Sequence, residues 1–315
     1  MVYILFVAGF VFLVKGADYL VDGASSIAKK YGWSPLFIGL TIVAFGTSTP
    51  ELFVNIIASA NGNSGIAVGN ILGSNIANIL FILGTAALIY PLVVKTSTIN
   101  KEIPLSLLAV VVLGVLVNDQ IINGATENFL SRADGIILIA FFSIFIYYAA
   151  GIRNDSDSGI TIQTYKTSSS VVMIAIGLAG LILGGKWIVD GGVFIASQLG
   201  LSEALIGLTI IAVGTSLPEL AASAVAAYKG NADMAIGNVI GSNVFNIFWI
   251  LGVSSIIRPI EFSQALNFDI FTVALVTVIL LAAIYIGKKY VLSRREGYFF
   301  IILYIAYIAF LIYRG

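Results

Sequence analysis

The sequence predicts an all-α polytopic membrane protein: ten transmembrane helices in two inverted five-helix repeats, with helices 2 and 7 discontinuous. Three observations predict this. Of 315 residues, 59% are hydrophobic and only 10% charged, whereas soluble domains run near a quarter charged. Ten stretches approach the roughly 20 apolar residues that carry a helix across a bilayer, and none shows the short alternating segments of a β-barrel. The chain also repeats itself at an offset of 168 residues, so that Gly39 falls on Gly207.

The elements follow in order. Helix 1, about 2–24, lacks the basic start and the Ala-x-Ala site of a cleaved signal, so it is read as the first membrane span. Helix 2, about 35–60, carries Gly39-Leu-Thr-Ile-Val-Ala-Phe-Gly-Thr-Ser-Thr-Pro-Glu-Leu52. Pro50 has no N–H for the carbonyl of Gly46, and Gly46 weakens the turn around Ala44, so a break with freed carbonyls is expected there. Helix 3, about 66–90, opens on Gly69-x-x-x-Gly73, a small-residue packing signal. Its Ser74 and Asn78 share one helical face. Helices 4 and 5, about 103–118 and 133–150, are plain apolar spans, the fifth introduced by Arg132-x-Asp134-Gly135. Helices 6 to 10, about 169–198, 203–228, 234–257, 269–287 and 297–313, replay the series. Helix 7 repeats the broken motif as Gly207-Leu-Thr-Ile-Ile-Ala-Val-Gly-Thr-Ser-Leu-Pro-Glu-Leu220, with Pro218 and Ala212 in the matching places. Helix 8 carries Gly237-x-x-x-Gly241, Ser242 and Asn246, and Arg294-x-Glu296-Gly297 precedes helix 10.

The repeats are thus 1–150 and 169–315, joined by a hydrophilic link over 151–168. Its Asp155-Ser-Asp-Ser-Gly159 faintly resembles the start of a calcium loop. Lys166 stands where such a loop needs a bidentate Glu, so the link is read as solvated. Five helices per repeat is an odd number, so the second repeat enters from the opposite face. Basic residues concentrate in cytoplasmic loops. With the N-terminus outside, eleven lie inside (Lys29, Lys30, Lys95, Lys101, Arg153, Lys166, Lys229, Lys288, Lys289, Arg294, Arg295) and three outside (Arg132, Arg258, Arg314). Both termini are expected to be extracellular.

There is no cysteine and no histidine, so a bound cation must be held by oxygen, which favours hard ions such as Na⁺, Ca²⁺ or Mg²⁺ over zinc or copper. A net charge of zero gives no reason to expect nucleic acid. Glu51 and Glu219 fall in the middle of apolar segments, where a carboxylate is costly and by default functional. Broken helices at matching positions of inverted repeats point to a transporter's ion site. The expected site combines Glu51, Glu219, Thr47, Ser48, Thr215 and Ser216 with Ser74, Ser242, Asn78 and Asn246 opposite, and the carbonyls of Ala44 and Ala212. Asn70, Asn75, Asn238 and Asn243 are read as interhelical hydrogen-bonding residues ahead of ligands. Lys15/Asp18 and Lys186/Asp190 have the spacing of local ion pairs.

The paired Gly-Thr-Ser-x-Pro-Glu and Gly-Ser-Asn-x-x-Asn motifs, spanning nearly the whole chain, resemble the α-repeats of the cation/Ca²⁺ exchanger superfamily, in its Na⁺/Ca²⁺ exchanger branch with the prokaryotic calcium/sodium antiporters. The resemblance implies a membrane antiporter of a prokaryote, not an enzyme, exchanging Na⁺ for Ca²⁺ by alternating access. Its partners would be those ions and the lipid bilayer, with no cofactor and no obligatory protein partner. Glu51, Glu219, Thr47 and Thr215 would hold Ca²⁺. Ser48, Ser74, Ser216, Ser242 and the carbonyls of Ala44 and Ala212 would complete Na⁺ sites, with Asn78 and Asn246 central. K⁺-dependent relatives carry Asp where this chain has Asn246, so no K⁺ requirement is expected. A Ca²⁺/H⁺ exchanger is the alternative reading, and a cation channel is a more distant one. A hydrolase would need a nucleophile and base that the chain does not offer.

Overall fold

The computed structural model describes residues 2–151, 163–199 and 212–314. The Asp155–Gly159 stretch of the link and the first part of the second broken motif lie outside the described residues. Among those described, helices dominate, as expected of apolar segments in which every backbone polar group must be satisfied internally. They are α1 (Val2–Tyr31), α2 (Pro35–Thr47), α3 (Thr49–Ala60), α4 (Ser64–Ile89), α5 (Thr98–Leu116) and α6 (Arg132–Ala150) in the first half. In the second half they are α7 (Thr167–Gln198), α8 (Ala212–Thr215), α9 (Leu217–Tyr228), α10 (Ala232–Ile257), α11 (Gln264–Ile286) and α12 (Arg294–Arg314). Eight of these are long and apolar enough to cross a membrane, and the bent pair α2–α3 makes a ninth. The tenth expected span, 203–228, is described only from residue 212.

Four two-residue strands depart from the all-helical expectation. β1 (Leu92–Val93) pairs antiparallel with β4 (Val291–Leu292), and β2 (Phe129–Leu130) with β3 (Ile260–Glu261). Each pair ties a loop of one half to a loop of the other. Segments this short carry no periodicity to read.

The centre belongs to α4 and α10, the most buried of the long helices. α2 lies along α10 because two glycines leave room. A side-chain carbon at Gly237 would come 2.8 Å from the Leu36 carbonyl oxygen, and one at Gly241 2.7 Å from that of Leu40. The packing role expected of that pair is therefore real. A side chain at Gly69 or Gly73 meets no described residue; the segment that the repeat would set against them, around Gly207, lies outside the described residues. α1 and α7 form the other close pair. A side-chain carbon at Gly16 would lie 2.8 Å from the Gly177 carbonyl oxygen, and one at Gly184 2.7 Å from that of Gly9. Backbones that approach so closely admit only glycine.

Candidate cation site

α2 ends at Thr47, Ser48 takes φ −81° and ψ 10°, and α3 starts at Thr49 at an angle of 48° to α2. Pro50 thus sits in the first turn of a new helix, where its missing N–H strands nothing. Ser216 (φ −88°, ψ 6°) makes the same break between α8 and α9, with Pro218 in the following first turn. Each break delivers a glutamate, Glu51 or Glu219, to a helix N-terminus, where free N–H groups and the helix dipole favour negative charge. Both glutamates are buried to 1% exposure. Among the described residues neither pairs with Lys or Arg. Lys15 and Lys186 are largely exposed and pair with Asp18 at 3.9 Å and Asp190 at 3.1 Å.

One expectation fails here. The Ala44 carbonyl is not freed by the break, since it accepts the Ser48 N–H at 3.0 Å and lies 3.4 Å from the Thr47 hydroxyl. A break between two short helices lets the first close its last turn in the ordinary way, which a kink in one continuous helix would not. In the second half the Ser216 N–H goes to Val213 at 3.2 Å, not to Ala212.

The hydroxyls serve the opposite half. Ser48 Oγ donates to Glu219 Oε1 at 2.8 Å and lies 3.0 Å from Ser242 Oγ. Thr47 is also within hydrogen-bond reach of Glu219. Conversely, Thr215 and Ser216 reach Glu51, and Ser216 Oγ stands 3.5 Å from Ser74 Oγ. The two glutamates are close enough to repel each other. The sequence places each hydroxyl next to its own glutamate along the chain, so this exchange between halves was not legible there.

Opposite lies an asparagine cluster joining α4 to α10. Asn75 Nδ2 donates to the Asn243 carbonyl at 3.3 Å, and Asn243 Nδ2 returns the bond to the Asn75 carbonyl at 3.4 Å. Asn78 Nδ2 donates to Asn243 Oδ1, and Asn246 Nδ2 to Asn75 Oδ1, both at 2.9 Å. Asn75 and Asn243 are therefore structural, as expected. Their side-chain oxygens hold the amide ends of Asn78 and Asn246, which leaves Asn78 Oδ1 and Asn246 Oδ1 without a donor. Asn238 is structural too: its Oδ1 accepts from Thr47 at 3.2 Å and its Nδ2 donates to Ser223 Oγ at 2.9 Å. Asn78 begins a π-helical turn (Asn78–Ile82) and Asn246 lies in another (Phe245–Leu251), bulges that recur where helices carry function.

Four buried atoms in this region thus lack any hydrogen-bond donor among the described residues: Glu51 Oε2, Glu219 Oε2, Asn78 Oδ1 and Asn246 Oδ1. A buried polar atom left unpaired costs about 1–3 kcal/mol. All four are acceptors, and two belong to carboxylates. A set of hard oxygens with two negative charges suits dehydrated Ca²⁺ or several Na⁺. No group of three or more His, Cys, Asp or Glu exists among the described residues, so neutral oxygens must make up the coordination.

Lys229, which the sequence assigns only to a loop, makes a contact that its spacing does not reveal. Its ammonium lies 2.6 Å from Asp18 and 2.8 Å from Asp22, bridging the end of α9 to α1. The available signal was Asp18 and Asp22 themselves, two acids one turn apart on an apolar helix with a single local lysine.

Three comparisons with known proteins bear on this site. The family model described as sodium/calcium exchanger protein matches residues 1–151 and 169–313. The chain is 41% identical to a putative antiporter, CaxA, of Alkalimonas amylolytica, covering 96% of each, and 34% identical to the sodium/calcium exchanger MaX1 of Methanosarcina acetivorans, covering 99% of this chain and 98% of the other. Among solved structures, it superposes on the sodium-calcium exchanger NCX_Mj, soaked with zero Na⁺ and Ca²⁺, with a TM-score of 0.83 at 32% identity, covering 98% of both chains.

Proposed function

Since this chain belongs to the sodium/calcium exchanger family, whose members are membrane transporters and not enzymes, we propose that it exchanges Na⁺ for Ca²⁺ across the membrane by alternating access. One observation carries the reading: two buried carboxylates, each held by hydroxyls of the opposite half, share a region with two asparagine oxygens that no donor among the described residues reaches. Such a site binds hard cations and ties the two halves together when it does so. Glu51 and Glu219, with Thr47 and Thr215, hold Ca²⁺. Ser48, Ser216, Ser74 and Ser242 complete flanking Na⁺ positions, with Asn78 and Asn246 between them. The carbonyl of Ala44 is the weakest member of the set, because the Ser48 N–H already occupies it; that of Ala212 has no such claim from Ser216. Na⁺, not H⁺, is the coupling ion in this reading, because beside the two carboxylates the site's oxygens, Asn246 included, are hydroxyls and amides that ligate a metal ion and carry no proton to exchange.

The two repeats, 1–150 and 169–315, act as the halves that exchange access, joined by the link 151–168. The distribution of Lys and Arg puts both termini outside and that link in the cytoplasm. The test is Ca²⁺ uptake into proteoliposomes with Na⁺, K⁺ and H⁺ gradients imposed one at a time. An outward Na⁺ gradient alone drives saturable uptake. Uptake that follows only a pH gradient would move the chain to Ca²⁺/H⁺ exchange, and flux that never saturates would make it a channel.

A further inference from the structure

Among the described residues five more buried oxygens outside the site above lack a hydrogen-bond partner, Glu102 Oε2 and Ser106 Oγ among them; the other three are Asn55 Oδ1, Ser59 Oγ and Ser254 Oγ, at 0%, 2% and 0% exposure. Glu51, Asn55 and Ser59 are spaced four apart on α3, so they form one line along one face, each about 6 Å above the last. Asn55 spends its amide on the Glu51 carbonyl at 3.1 Å, which turns its Oδ1 away from its own backbone. Ser254 lies in the last part of α10, which packs on both α3 and α6. The next residue, Ser255, sits over Gly135 of α6, so Ser254 is turned from that face. The level is set by Arg258, one turn beyond Ser254, whose guanidinium donates to the Ala60 carbonyl at 3.1 Å. Ser254 therefore stands near the height of Asn55 and Ser59. Asn70 of α4, which also packs on α3, adds an Nδ2 without a partner among the described residues.

The second half has no counterpart. Asn55 corresponds to Ser223, whose hydroxyl accepts from Asn238. Ser59 corresponds to Ala227, and Ser254 to Ala86, both fully buried alanines. A polar line runs from the acid toward a helix end in one half only.

We propose that Asn55, Ser59 and Ser254 form a separate Na⁺ subsite, through which a partly hydrated Na⁺ passes between the Ala60 end of α3 and Glu51. Three neutral oxygens with no carboxylate suit a monovalent ion and leave Ca²⁺ undercharged. Asn70 Nδ2 donates to a water of the ion's shell. The proposal rests on the exchange reading above and adds to it where Na⁺ enters.

Ser59→Ala, Ser254→Ala and the pair together are reconstituted and assayed for Na⁺-driven Ca²⁺ uptake and, without Na⁺, for Ca²⁺/Ca²⁺ exchange. Ser59→Thr and Ser254→Thr keep the oxygen and control for packing. The expected result is a half-saturating Na⁺ concentration raised about fivefold by each alanine, the scale of one lost neutral oxygen contact. The threonines restore it, and half-saturating Ca²⁺ stays in place. Alanine variants with wild-type Na⁺ dependence, or an equal loss of Ca²⁺/Ca²⁺ exchange, overturn the subsite and leave the exchange reading intact. A wild-type protein whose Ca²⁺ uptake ignores Na⁺ defeats both.

Discussion

At the scale of single residues, chemistry concentrates in Glu51 and Glu219. Glu51→Gln and Glu219→Gln keep the shape and remove half of the site's charge each. Ca²⁺ flux in proteoliposomes is expected to vanish in both, while size-exclusion profiles in detergent stay normal; near-normal flux would show that the carboxylate does not touch Ca²⁺. The exchange of hydroxyls between halves gives a sharper test. Ser48 donates to Glu219 and not to Glu51, so Ser48→Ala is expected to weaken Ca²⁺ binding about tenfold, the scale of a hydrogen bond to a charged group. Added to Glu219→Gln it should change little further, whereas added to Glu51→Gln its effect should persist. Equal behaviour in both backgrounds would remove the crossed pairing. Asn246→Asp adds a third acid beside the Glu pair. K⁺ is then expected to stimulate transport, and indifference to K⁺ would take Asn246 out of the ion path. The glutamates and Asn78/Asn246 were legible in the sequence because the same residues recur at one offset in apolar surroundings. Which half each hydroxyl serves was not, because that depends on how two distant segments are set against each other.

At the scale of elements, the broken helices do two things at once: they close each first segment at a serine and present each acid at a fresh N-terminus. Pro50 and Pro218 with their glycines made the breaks readable. The position of each break at Ser48 and Ser216, and hence the occupied Ala44 carbonyl, was not, since a proline is equally compatible with a kink or with a new first turn. The bridge from Lys229 to Asp18 and Asp22 was also hidden, because its partners lie some two hundred residues apart. Burial alone would lower the pKa of Lys229, but the two aspartates outweigh it and raise it above the usual lysine value. The ammonium therefore stays charged at neutral pH and loses its charge as pH climbs through that raised value. Its matching position is Asn61, so only one face of the molecule has it. Lys229→Met is expected to cost about 1 kcal/mol of stability, in the range of a partly exposed ion pair, read as a lower thermal midpoint in detergent. It should also flatten the alkaline limb of the wild-type stability profile; an unchanged midpoint and profile would mean that the bridge holds nothing.

At the scale of the whole molecule, two bodies meet at one site. α4 and α10, locked by the asparagine cluster, carry one wall. α1 and α7, pressed together through Gly9, Gly16, Gly177 and Gly184, form a smooth pair whose contacts are largely with each other. Those glycines all lie at the contact between α1 and α7 themselves, so the two helices form one close-packed unit. The Lys229 bridge to Asp18 and Asp22 is the charged tie that holds α1 to the end of α9, beside the weaker contact of Asn231 Nδ2 with Ser25 Oγ at 3.5 Å. If exchange of access requires α1 to shift against α9, fixing that junction must stop transport. The chain contains no cysteine, so a pair introduced as Asp22→Cys and Lys229→Cys is the only thiol pair available to a short bis-maleimide. Cross-linked protein is expected to lose Na⁺-driven Ca²⁺ uptake. The same double variant left unlinked, or treated with a monofunctional maleimide, should transport. Cross-linked protein should still bind Ca²⁺ from one side, because the site lies outside the junction. Full transport after complete cross-linking would show that α1 and α9 move together, and the moving boundary would then have to lie elsewhere.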